Sequence, residues 1–592
     1  MDSFKLLKRR TTELFNSMPA MPAMPSLGSR GGSAMKGTWE KLQLPPLPRS
    51  SHSADIVAGT LYIFGGEVEP RRPVDNDMHA IALPSSGAQA DYYAIKAKPA
   101  KPSAHAETPA VPVVNEPKPT SDADTEEEAD EQAETPEGGD KDLSEAPLTT
   151  PSPGPGLTTT KDKGKSIAST PASNLPDVPA PRVGHATAVI GHRIFLFGGR
   201  GGPDMSPLDE GGRVWVFDTR THLWSFLDPL PAAANLPASH PAPRSYHSAV
   251  ATPKPDTFTN PAPLTHPVQN NNSPSAWRDW ALGTSAEAEH THGTPQRPVV
   301  GVLAERATDP DSDGYGTFLI HGGCLSEGQG RAADVWAFDI RSRVWQRLPD
   351  APGSARGGAA LAFSHHHGSR GKGARLYRFG GFNGEGQEGG QLDYLEVGVD
   401  VFDDQVTKGE EAVLSPKGGE WKSLLFFGRE DVGYKEVDAA VRPGEGGGGE
   451  GGDEWPGDRS VAGLEVVTVG GGREYLVLMF GEREASGAGH AAAGRFWDDV
   501  WAFQVPSEGG SLASVADTAF SVVGRKNGEG TWTRVEMGPH DDEDDASAEG
   551  PGPRGWFASA TMGELEENGI VVFGGLSEGN QRLGDGWILR LG

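Results

Sequence analysis

The stretch "LYIFGG" at Leu61–Gly66 is a short apolar run that ends in two glycines, and it decides the fold. Close copies recur along the chain: "IFLFGG" ending at Gly199, "FLIHGG" at Gly323, "LYRFGG" at Gly381, "LVLMFGE" at Glu482 and "IVVFGG" at Gly575. A strand that must stop and reverse among close neighbours needs glycine, which tolerates positive φ and close backbone approach. Six copies in one chain indicate a repeat architecture.

The second copy shows the complete repeat. "PRVGHATAVIGHRIFLFGG" supplies two strands, and "GRVWVFDTRTHLW" supplies a third strand and the start of a fourth at Trp224. Short runs of Val, Ile, Phe and Trp separated by turn residues predict a four-stranded antiparallel sheet.

The sixth copy lacks a fourth strand, and the segment "TWEKLQLPPLPRSSH" supplies one, because Trp39 precedes the first repeat arginine, Arg49. If this strand completes the last sheet, the repeats close into a ring with no unpaired edge. We therefore predict an all-β fold, a six-bladed β-propeller closed by an N-terminal strand. A β-sandwich or two tandem β domains are the alternative.

Composition limits the function classes. The formal charge of −29 argues against binding to nucleic acid or to an anionic membrane, which both require basic surface. The single cysteine, Cys324, excludes an intrachain disulfide framework. No apolar run approaches the ~18 residues that a membrane-spanning helix needs.

Several segments cannot bury enough apolar surface to fold on their own. We predict a disordered tail over 1–36, the propeller over 37–592, a disordered acidic and Pro-rich insertion over 97–177, and a low-complexity insertion over 253–296. The basic N-terminal segment has no long apolar run, which argues against a secretory signal. We expect a cytoplasmic protein, with a mitochondrial transit peptide as the alternative reading of this segment.

The repeats resemble the kelch repeat, with Gly-Gly after a strand, then an aromatic-rich strand, then Trp at a set distance. The Gly-His and Trp-Asp pairs of the WD40 repeat do not recur at their proper spacing. The resemblance implies a kelch-type propeller, most members of which bind other proteins.

The last three repeats also resemble the plant nitrile-specifier and epithiospecifier proteins. The likeness rests on "LYRFGGFNGEGQEGG", "FGEREASGAGHAAAGRFWDDVWAF" and "PRGWFASA" followed by "FGGLSEGNQRLGDGW". It implies Fe(II) and an aglycone, derived from a thioglucoside, that is directed to a nitrile. The loop expected to hold iron offers Glu385, Glu388 and Asp393 but no histidine before Trp421, and carboxylates alone hold Fe(II) less selectively.

One arginine opens every repeat: Arg49, Arg182, Arg244, Arg356, Arg459 and Arg554. Two interpretations stay open for this series. The guanidinium groups could ring the channel mouth and hold an anion, or they could tie each blade to backbone and to a recurring carboxylate. His490 lies in a Gly-rich loop and is either a ligand-facing residue or a hydrogen-bond donor that shapes its own loop.

No nucleophile–base pair, phosphate loop or zinc spacing is present in the sequence. The favoured function is a protein-interaction scaffold without evident catalysis, a monomer that binds a partner protein and requires no cofactor. The alternative is an Fe(II)-dependent, specifier-like protein that acts on a small anionic ligand. The sequence names neither the partner nor the substrate.

Overall fold

The computed structural model describes residues 35–84, 90–100, 175–231, 239–253, 316–365, 374–399, 414–416, 420–425, 435–438, 455–470, 472–488, 492–506, 530–538, 549–563 and 565–592. Within these ranges the chain forms β-strands and no α-helix, so no described helix could cross a membrane. Most of the predicted tail and most of both predicted insertions lie outside the described residues, and the last residue assigned to the tail, Lys36, begins the first strand.

Six sheets form the blades of a propeller, which confirms the predicted fold class. Blade 1 contains β2 (Ser53–Val57), β3 (Thr60–Phe64), β6 (Met78–Ala82) and β7 (Asp91–Ile95). Blade 2 contains β8 (Ala186–Ile190), β9 (Arg193–Phe197), β12 (Val214–Asp218) and β13 (Leu223–Leu227). Blade 3 contains β14 (Ser248–Thr252), β15 (Thr317–His321), β16 (Val335–Asp339) and β17 (Val344–Leu348).

The other three blades vary more in strand number. Blade 4 contains β18 (Ala360–His365), β19 (Ala374–Phe379), β20 (Gln391–Val399), β21 (Leu414–Pro416), β22 (Lys422–Leu425) and β23 (Lys435–Asp438). Blade 5 contains β24 (Gly463–Val469), β25 (Arg473–Met479), β28 (Val500–Gln504) and β29 (Trp532–Arg534). Blade 6 contains β31 (Ala558–Thr561), β32 (Gly569–Leu576), β33 (Arg582–Leu591), β1 (Lys36–Lys41) and β30 (Glu536–Gly538).

Three short ribbons stand beside the blades, at the end of the strand that carries the glycines. They are β4 (Glu67–Glu69) with β5 (Arg72–Pro73), β10 (Arg200–Gly201) with β11 (Ser206–Pro207), and β26 (Glu482–Glu484) with β27 (Arg495–Phe496).

The first strand of each blade contacts the first strand of both neighbouring blades, so the six strands β2, β8, β14, β18, β24 and β31 surround a central channel. Between blades, the strand faces bury large apolar side chains. Phe64 of blade 1, for example, packs edge-on against Trp224 of blade 2, with ring centroids 5.1 Å apart. Each such interface needs its neighbour, because a single blade cannot bury both of its faces.

The glycine pairs form the joints between blades. The second residue of each pair donates its N–H to the carbonyl oxygen of the arginine that opens the next blade. The six bonds are Gly66–Arg182 (3.0 Å), Gly199–Arg244 (2.9 Å), Gly323–Arg356 (2.9 Å), Gly381–Arg459 (2.9 Å), Gly481–Arg554 (3.0 Å) and Gly575–Arg49 (2.9 Å). The last bond closes the ring.

This close approach explains why glycine occupies the first position in five of the six joints. Gly65 has a φ of 63°, and a Cβ on it would lie 2.6 Å from the carbonyl oxygen of Arg182. The fifth copy departs from the pattern, since Phe480 holds the first glycine position at a φ of 51°. Its ring fills the joint instead, stacked on Trp39 and edge-on to Phe557.

The N-terminal strand closes the ring, as predicted. β1 pairs antiparallel with β33, with Trp39 opposite Leu589. The expectation of four strands per blade is wrong for blade 4, whose sheet has six strands, and for blade 6, whose sheet has five. After the outer strand of blade 5 the chain crosses over as β30 and pairs parallel with β1, so the closing strand lies between two others.

Candidate functional site at the mouth of the channel

The six repeat arginines lie inside the blades. Their exposed fractions are 0–2%, and each donates Nη1 to the carbonyl oxygen of the residue at the first position of its own blade's glycine pair. The acceptors are Gly65 (3.0 Å), Gly198 (2.9 Å), Gly322 (3.0 Å), Gly380 (3.2 Å), Phe480 (2.9 Å) and Gly574 (3.0 Å). Each arginine therefore fixes the bend at which its blade meets the next.

In blades 2, 3, 5 and 6 a carboxylate completes the arrangement. The guanidinium donates from both terminal nitrogens to one acid, in the pairs Arg182–Glu210, Arg244–Asp334, Arg459–Asp499 and Arg554–Asp585. A tryptophan indole N–H of the same blade donates to the same acid, from Trp215, Trp336, Trp501 and Trp587. Bidentate pairing of this kind satisfies a buried guanidinium well.

Blades 1 and 4 use other partners. In blade 1, Arg49 contacts Nε2 of His79 at 3.2 Å, and His79 in turn lies 3.3 Å from the carboxylate of Asp75. In blade 4, the closest carboxylate oxygen to Arg356 is that of Glu388, at 3.5 Å.

These contacts bear on the two interpretations of the arginine series. None of the six guanidinium groups is presented to solvent at the mouth, because burial and intrablade hydrogen bonds already engage them. The geometry therefore favours the tie to backbone and carboxylate over a ring that holds an anion.

The residues proposed as metal ligands do not come together. Asp393 is 1% exposed and pairs with Arg378 at 2.5 Å, while the Ser423 hydroxyl donates to its other oxygen at 2.5 Å. Glu388 accepts from the Asn383 amide at 2.8 Å, and Glu385 is exposed. No group of three or more His, Cys, Asp or Glu side chains suited to a metal occurs among the described residues, so these three do not fit an Fe(II) site. His490 lies outside the described residues.

Sequence reasoning missed three buried histidines that follow the arginines of blades 1 to 3. His52, His185 and His247 each place Cε1 against the first glycine of the preceding blade, where a Cβ would come within 2.8–2.9 Å. Burial, with the nearby arginine as the next cause, lowers the pKa of His52 and of His247 to about 3 and that of His185 well below its usual value. These rings are neutral packing elements. The recurring Arg-x-x-His spacing was the signal for them.

A ring of backbone hydrogen bonds frames the mouth. Two residues after each arginine, the N–H donates to the equivalent carbonyl of the preceding blade, and five such bonds are present among the described residues. They are Ser51 to Trp556 (2.9 Å), Gly184 to Ser51 (2.9 Å), Tyr246 to Gly184 (2.6 Å), Gly358 to Tyr246 (2.8 Å) and Val461 to Gly358 (2.8 Å). All six residues at this position have φ between 47° and 62°.

Positive φ costs a non-glycine residue about 1 kcal/mol or more, and it is an outlier for a β-branched residue such as Val461. Glycine holds the position without strain in Gly184 and Gly358. The chain nevertheless places Tyr246, Val461 and Trp556 at three of the six. Backbone strain of this kind is found at active sites and ligand clamps.

Above this ring lies a pocket that is partly open to solvent. Residues of five blades line it, and only blade 2 contributes none. Its apolar wall consists of Tyr246, Phe382, Val461, Trp556 and Leu576, together with Ala485, Ala492 and Ala493 from the segment between β26 and β27. A pocket with apolar walls and a few polar groups is the usual form of a ligand or peptide site.

The polar part of the pocket includes two acids, one arginine and several hydroxyl groups. Glu67 and Arg582 form an ion pair at 2.8 Å in which both side chains are less than 10% exposed. Glu482 accepts a hydrogen bond from the Gln387 amide at 3.0 Å. Ser50, Ser51 and Ser460 also line the pocket. The site therefore offers apolar contact, hydroxyl groups and one acidic wall.

Two further carboxyls lie on the strands around the channel. Burial raises the pKa of Asp55 to about 7, against the opposing hydrogen bond from the Thr187 hydroxyl at 2.7 Å. Burial raises the pKa of Glu465 to about 8, and the charge of Asp55 adds to this, while the Ser559 hydroxyl opposes it. Each accepts from a hydroxyl of the next blade rather than from a cation.

The kelch motif family matches residues 181–231, which comprise the whole of blade 2. Blade 2 therefore carries a kelch motif, and the chain as a whole folds as a six-bladed β-propeller of repeats similar to it.

Two further similarities concern individual proteins. The chain is 42% identical over 60 residues to an N-(sulfonatooxy)prop-2-enimidothioate sulfolyase of Thlaspi arvense, and these residues are 10% of this chain and 16% of that protein. This supports the specifier-like resemblance seen in the sequence but spans only about a sixth of the relative. The solved structure of YjhT covers 92% of this chain and 95% of its own, at 11% identity and a TM-score of 0.40.

Proposed function

We propose that this kelch propeller is a non-catalytic binding module that engages a partner protein at the mouth of its channel. The observation that carries the proposal is the pocket above the mouth ring, to which five blades contribute and in which aromatic and aliphatic side chains are held at positive φ. Aromatic residues in partly enclosed, apolar surroundings are typical anchors of protein interfaces.

The arginine geometry supports the same proposal. Because the repeat arginines are buried and bound within their blades, they serve the scaffold and leave the mouth residues to differ from blade to blade. A rigid ring with variable mouth residues is what a recognition surface requires.

Site-specific photo-crosslinking in cells tests the proposal. A benzoylphenylalanine at Ala485, in the pocket wall, should capture a discrete partner protein that the same group at Tyr93, on the outer strand of blade 1, does not capture. Equal capture from both positions, or none from Ala485, would contradict docking at the mouth.

The second candidate function is a specifier-like, Fe(II)-dependent activity on a small anionic substrate. The 42% identity over 60 residues with the sulfolyase favours it. Anaerobic calorimetric titration of the metal-stripped protein with Fe(II) tests it, with Mn(II) and Zn(II) as comparisons. Stoichiometric Fe(II) binding that Mn(II) and Zn(II) do not match would support this candidate, and absence of binding would remove it. The cytoplasmic location remains a prediction from the sequence.

A further inference from the structure

Blade 1 holds its repeat arginine with few hydrogen bonds. Arg49 is 1% exposed, and its guanidinium bonds only to the carbonyl oxygen of Gly65, at 3.0 Å, and to Nε2 of His79, at 3.2 Å. Its Nε has no hydrogen-bond partner among the described residues. In the other five blades this nitrogen donates to a carbonyl oxygen two residues earlier, at 2.9–3.4 Å. The position of Arg49 therefore depends strongly on His79.

His79 holds a position that tryptophan holds in four other blades. It lies opposite Ile63 in the strand register, as Trp501 lies opposite Leu478 in blade 5. A titratable imidazole thus takes the part that a carboxylate plays for the arginines of blades 2, 3, 5 and 6.

The neutral imidazole can hold Arg49 in one tautomer only. A guanidinium has donors and no acceptor, so Nε2 of His79 accepts from Arg49 and the ring proton lies on Nδ1. Nδ1 then donates to the Tyr92 hydroxyl, 2.9 Å away. The Asp75 carboxylate lies 3.3 Å from the same Nε2 and receives no hydrogen bond from this tautomer.

A proton on Nε2 reverses these preferences. The protonated nitrogen donates to Asp75 and can no longer accept from Arg49, and two cations 3.2 Å apart in a buried site repel each other. Protonation is easier once Arg49 has withdrawn, so by linkage the proton favours the withdrawn state. Histidine is the side chain that ordinarily changes its charge between pH 5 and pH 8.

The other titratable groups around this contact do not compensate Arg49. Burial lowers the pKa of Arg49, against Asp75 and Tyr92, which raise it. His52 also lies near both groups, but burial, with Arg49 as the next cause, lowers its pKa to about 3, so it stays neutral. The acids close by are paired elsewhere, in Asp77–Lys96 and Glu67–Arg582.

We propose that His79 is an acid-sensitive switch at the joint that closes the propeller: the neutral imidazole holds Arg49, and the protonated imidazole pairs with Asp75 and releases Arg49. The carbonyl oxygen of Arg49 accepts the Gly575 N–H at 2.9 Å, which is the bond that closes the ring of blades. Ser50 and Ser51, the next two residues, line the pocket. Mild acid should therefore loosen the closing joint and the adjoining wall, whatever the pocket binds.

Hydrogen–deuterium exchange of the full chain, resolved to single amides, tests the switch against a matched joint. The Gly575 N–H donates to Arg49, and the equivalent Gly199 N–H donates to Arg244, which Asp334 holds. Burial would raise the pKa of Asp334, but Arg244 outweighs burial and the pKa is lowered, so this acid stays ionised in mild acid.

The ratio of the two protection factors cancels the direct effect of pH on exchange. From pH 7.5 to pH 5.5 the protection of Gly575 should fall relative to that of Gly199 by about tenfold, which corresponds to a difference of about one pKa unit between the two states of the joint.

Three variants assign the effect to His79. His79→Gln keeps an acceptor for Arg49 and cannot be protonated, so the ratio should no longer depend on pH. Asp75→Asn removes the carboxylate that pairs with the protonated imidazole, so the fall in protection should begin at a lower pH. His240→Gln, in the loop after blade 2 where the imidazole contacts the Pro241 carbonyl, is the matched control and should behave as the parent chain does.

A constant ratio in the parent chain, or the same dependence on pH in His79→Gln as in the parent, would overturn the inference. If His79→Gln does not fold, Asp75→Asn decides: an unchanged midpoint, or one at higher pH, would mean that the imidazole does not pair with Asp75. None of these results bears on the capture of a partner from Ala485, so the switch and the proposed function fail separately.

Discussion

Blades 5 and 4 open with the same arginine and bend at the same joint, yet they satisfy that arginine differently. In blade 5, Asp499 receives both terminal nitrogens of Arg459, at 2.6 and 3.0 Å, and Trp501 also donates to it, at 2.7 Å. In blade 4, strand register places Leu392 opposite Phe379 as Val500 lies opposite Met479, so Gln391 occupies the position of Asp499.

The acid of blade 4 lies two residues further along its strand than the acid of blade 5. Asp393 occupies the position of Trp501 and pairs with a second buried arginine, Arg378, at 2.5 Å. Arg356 keeps its bond to the Gly380 carbonyl, at 3.2 Å, but has only Glu388 at 3.5 Å as a carboxylate partner. The comparison shows that every blade keeps the hydrogen bond from the repeat arginine to the carbonyl of the glycine pair, whereas the carboxylate that pairs with the arginine differs from blade to blade.

The largest expected effect is the loss of the acid in blade 5. Asp499→Ala leaves Arg459, which is 0% exposed, without a carboxylate, and removal of one partner of a buried pair costs about 3–5 kcal/mol of unfolding free energy. The aligned change in blade 4, Gln391→Ala, removes one hydrogen bond to Asp393 and should cost about 1 kcal/mol. Urea unfolding followed by tryptophan fluorescence measures both. Equal losses would mean that the two blades do not differ as described.

The arginines themselves should differ by a smaller amount. Arg459→Met leaves the buried Asp499 without its arginine partner. Arg356→Met leaves Glu388, which is 22% exposed, in contact with water. Burial and the nearby charge of Arg378 lower the pKa of Arg356 to about 10, so its removal also relieves a repulsion. We expect Arg356→Met to be less destabilising than Arg459→Met by about 2 kcal/mol in the same assay. A larger loss for Arg356→Met would show that Glu388 is the stronger partner.

Two acids of blade 5 should make the free energy of unfolding depend on pH in opposite directions. This is the smallest of the expected effects. Burial alone would raise the pKa of Asp499, but Arg459 outweighs burial and the pKa is lowered. The ionised Asp499 therefore stabilises the fold at pH values above the pKa of the unfolded chain, and this stabilisation is lost as pH falls. Burial raises the pKa of Glu465 to about 8, so its contribution is complete below the unfolded pKa and is lost as pH rises through about 8.

The corresponding variants isolate the two contributions. Between pH 6 and pH 9, Glu465→Gln should lose less stability than the parent chain, by on the order of 1 kcal/mol, because the channel keeps this carboxyl in partial contact with water. Asp499→Asn should be less stable than the parent at neutral pH, and the difference should shrink toward pH 3. Parallel profiles for the parent chain and Glu465→Gln would contradict the raised pKa.

The sequence predicted the fold well because the fold depends on local features that recur. The apolar run before each glycine pair, the opening arginine and the displaced strand at Trp39 each specify a joint, and each repeats or closes the pattern. The carboxylates that pair with the buried arginines were harder to predict. Asp393 looks like a loop carboxylate in the sequence, and only strand register shows that it faces Arg378 inside the sheet.

The residues that form the mouth ring and the pocket could not be predicted from the sequence either. The residues two positions after each arginine are of five different types, so no sequence pattern identifies them as one set. Their shared property is the sign of φ, which Tyr246 and Val461 do not reveal by residue type. The pocket arises only when residues far apart in sequence, such as Glu67 and Arg582, meet across the closed ring.

The position of β1 within blade 6 has a mechanical consequence. Because β1 runs between β33 and β30, tension applied along it loads two hydrogen-bond ladders in shear at once, one antiparallel and one parallel. Arg590 adds a cross-link, since it binds Glu40 on β1 and, at 2.8 Å, Glu566 of blade 6. Under pulling force the seam of the ring should therefore be a resistant part of the disc, and rupture should begin at a blade whose outer strand has a neighbour on one side only.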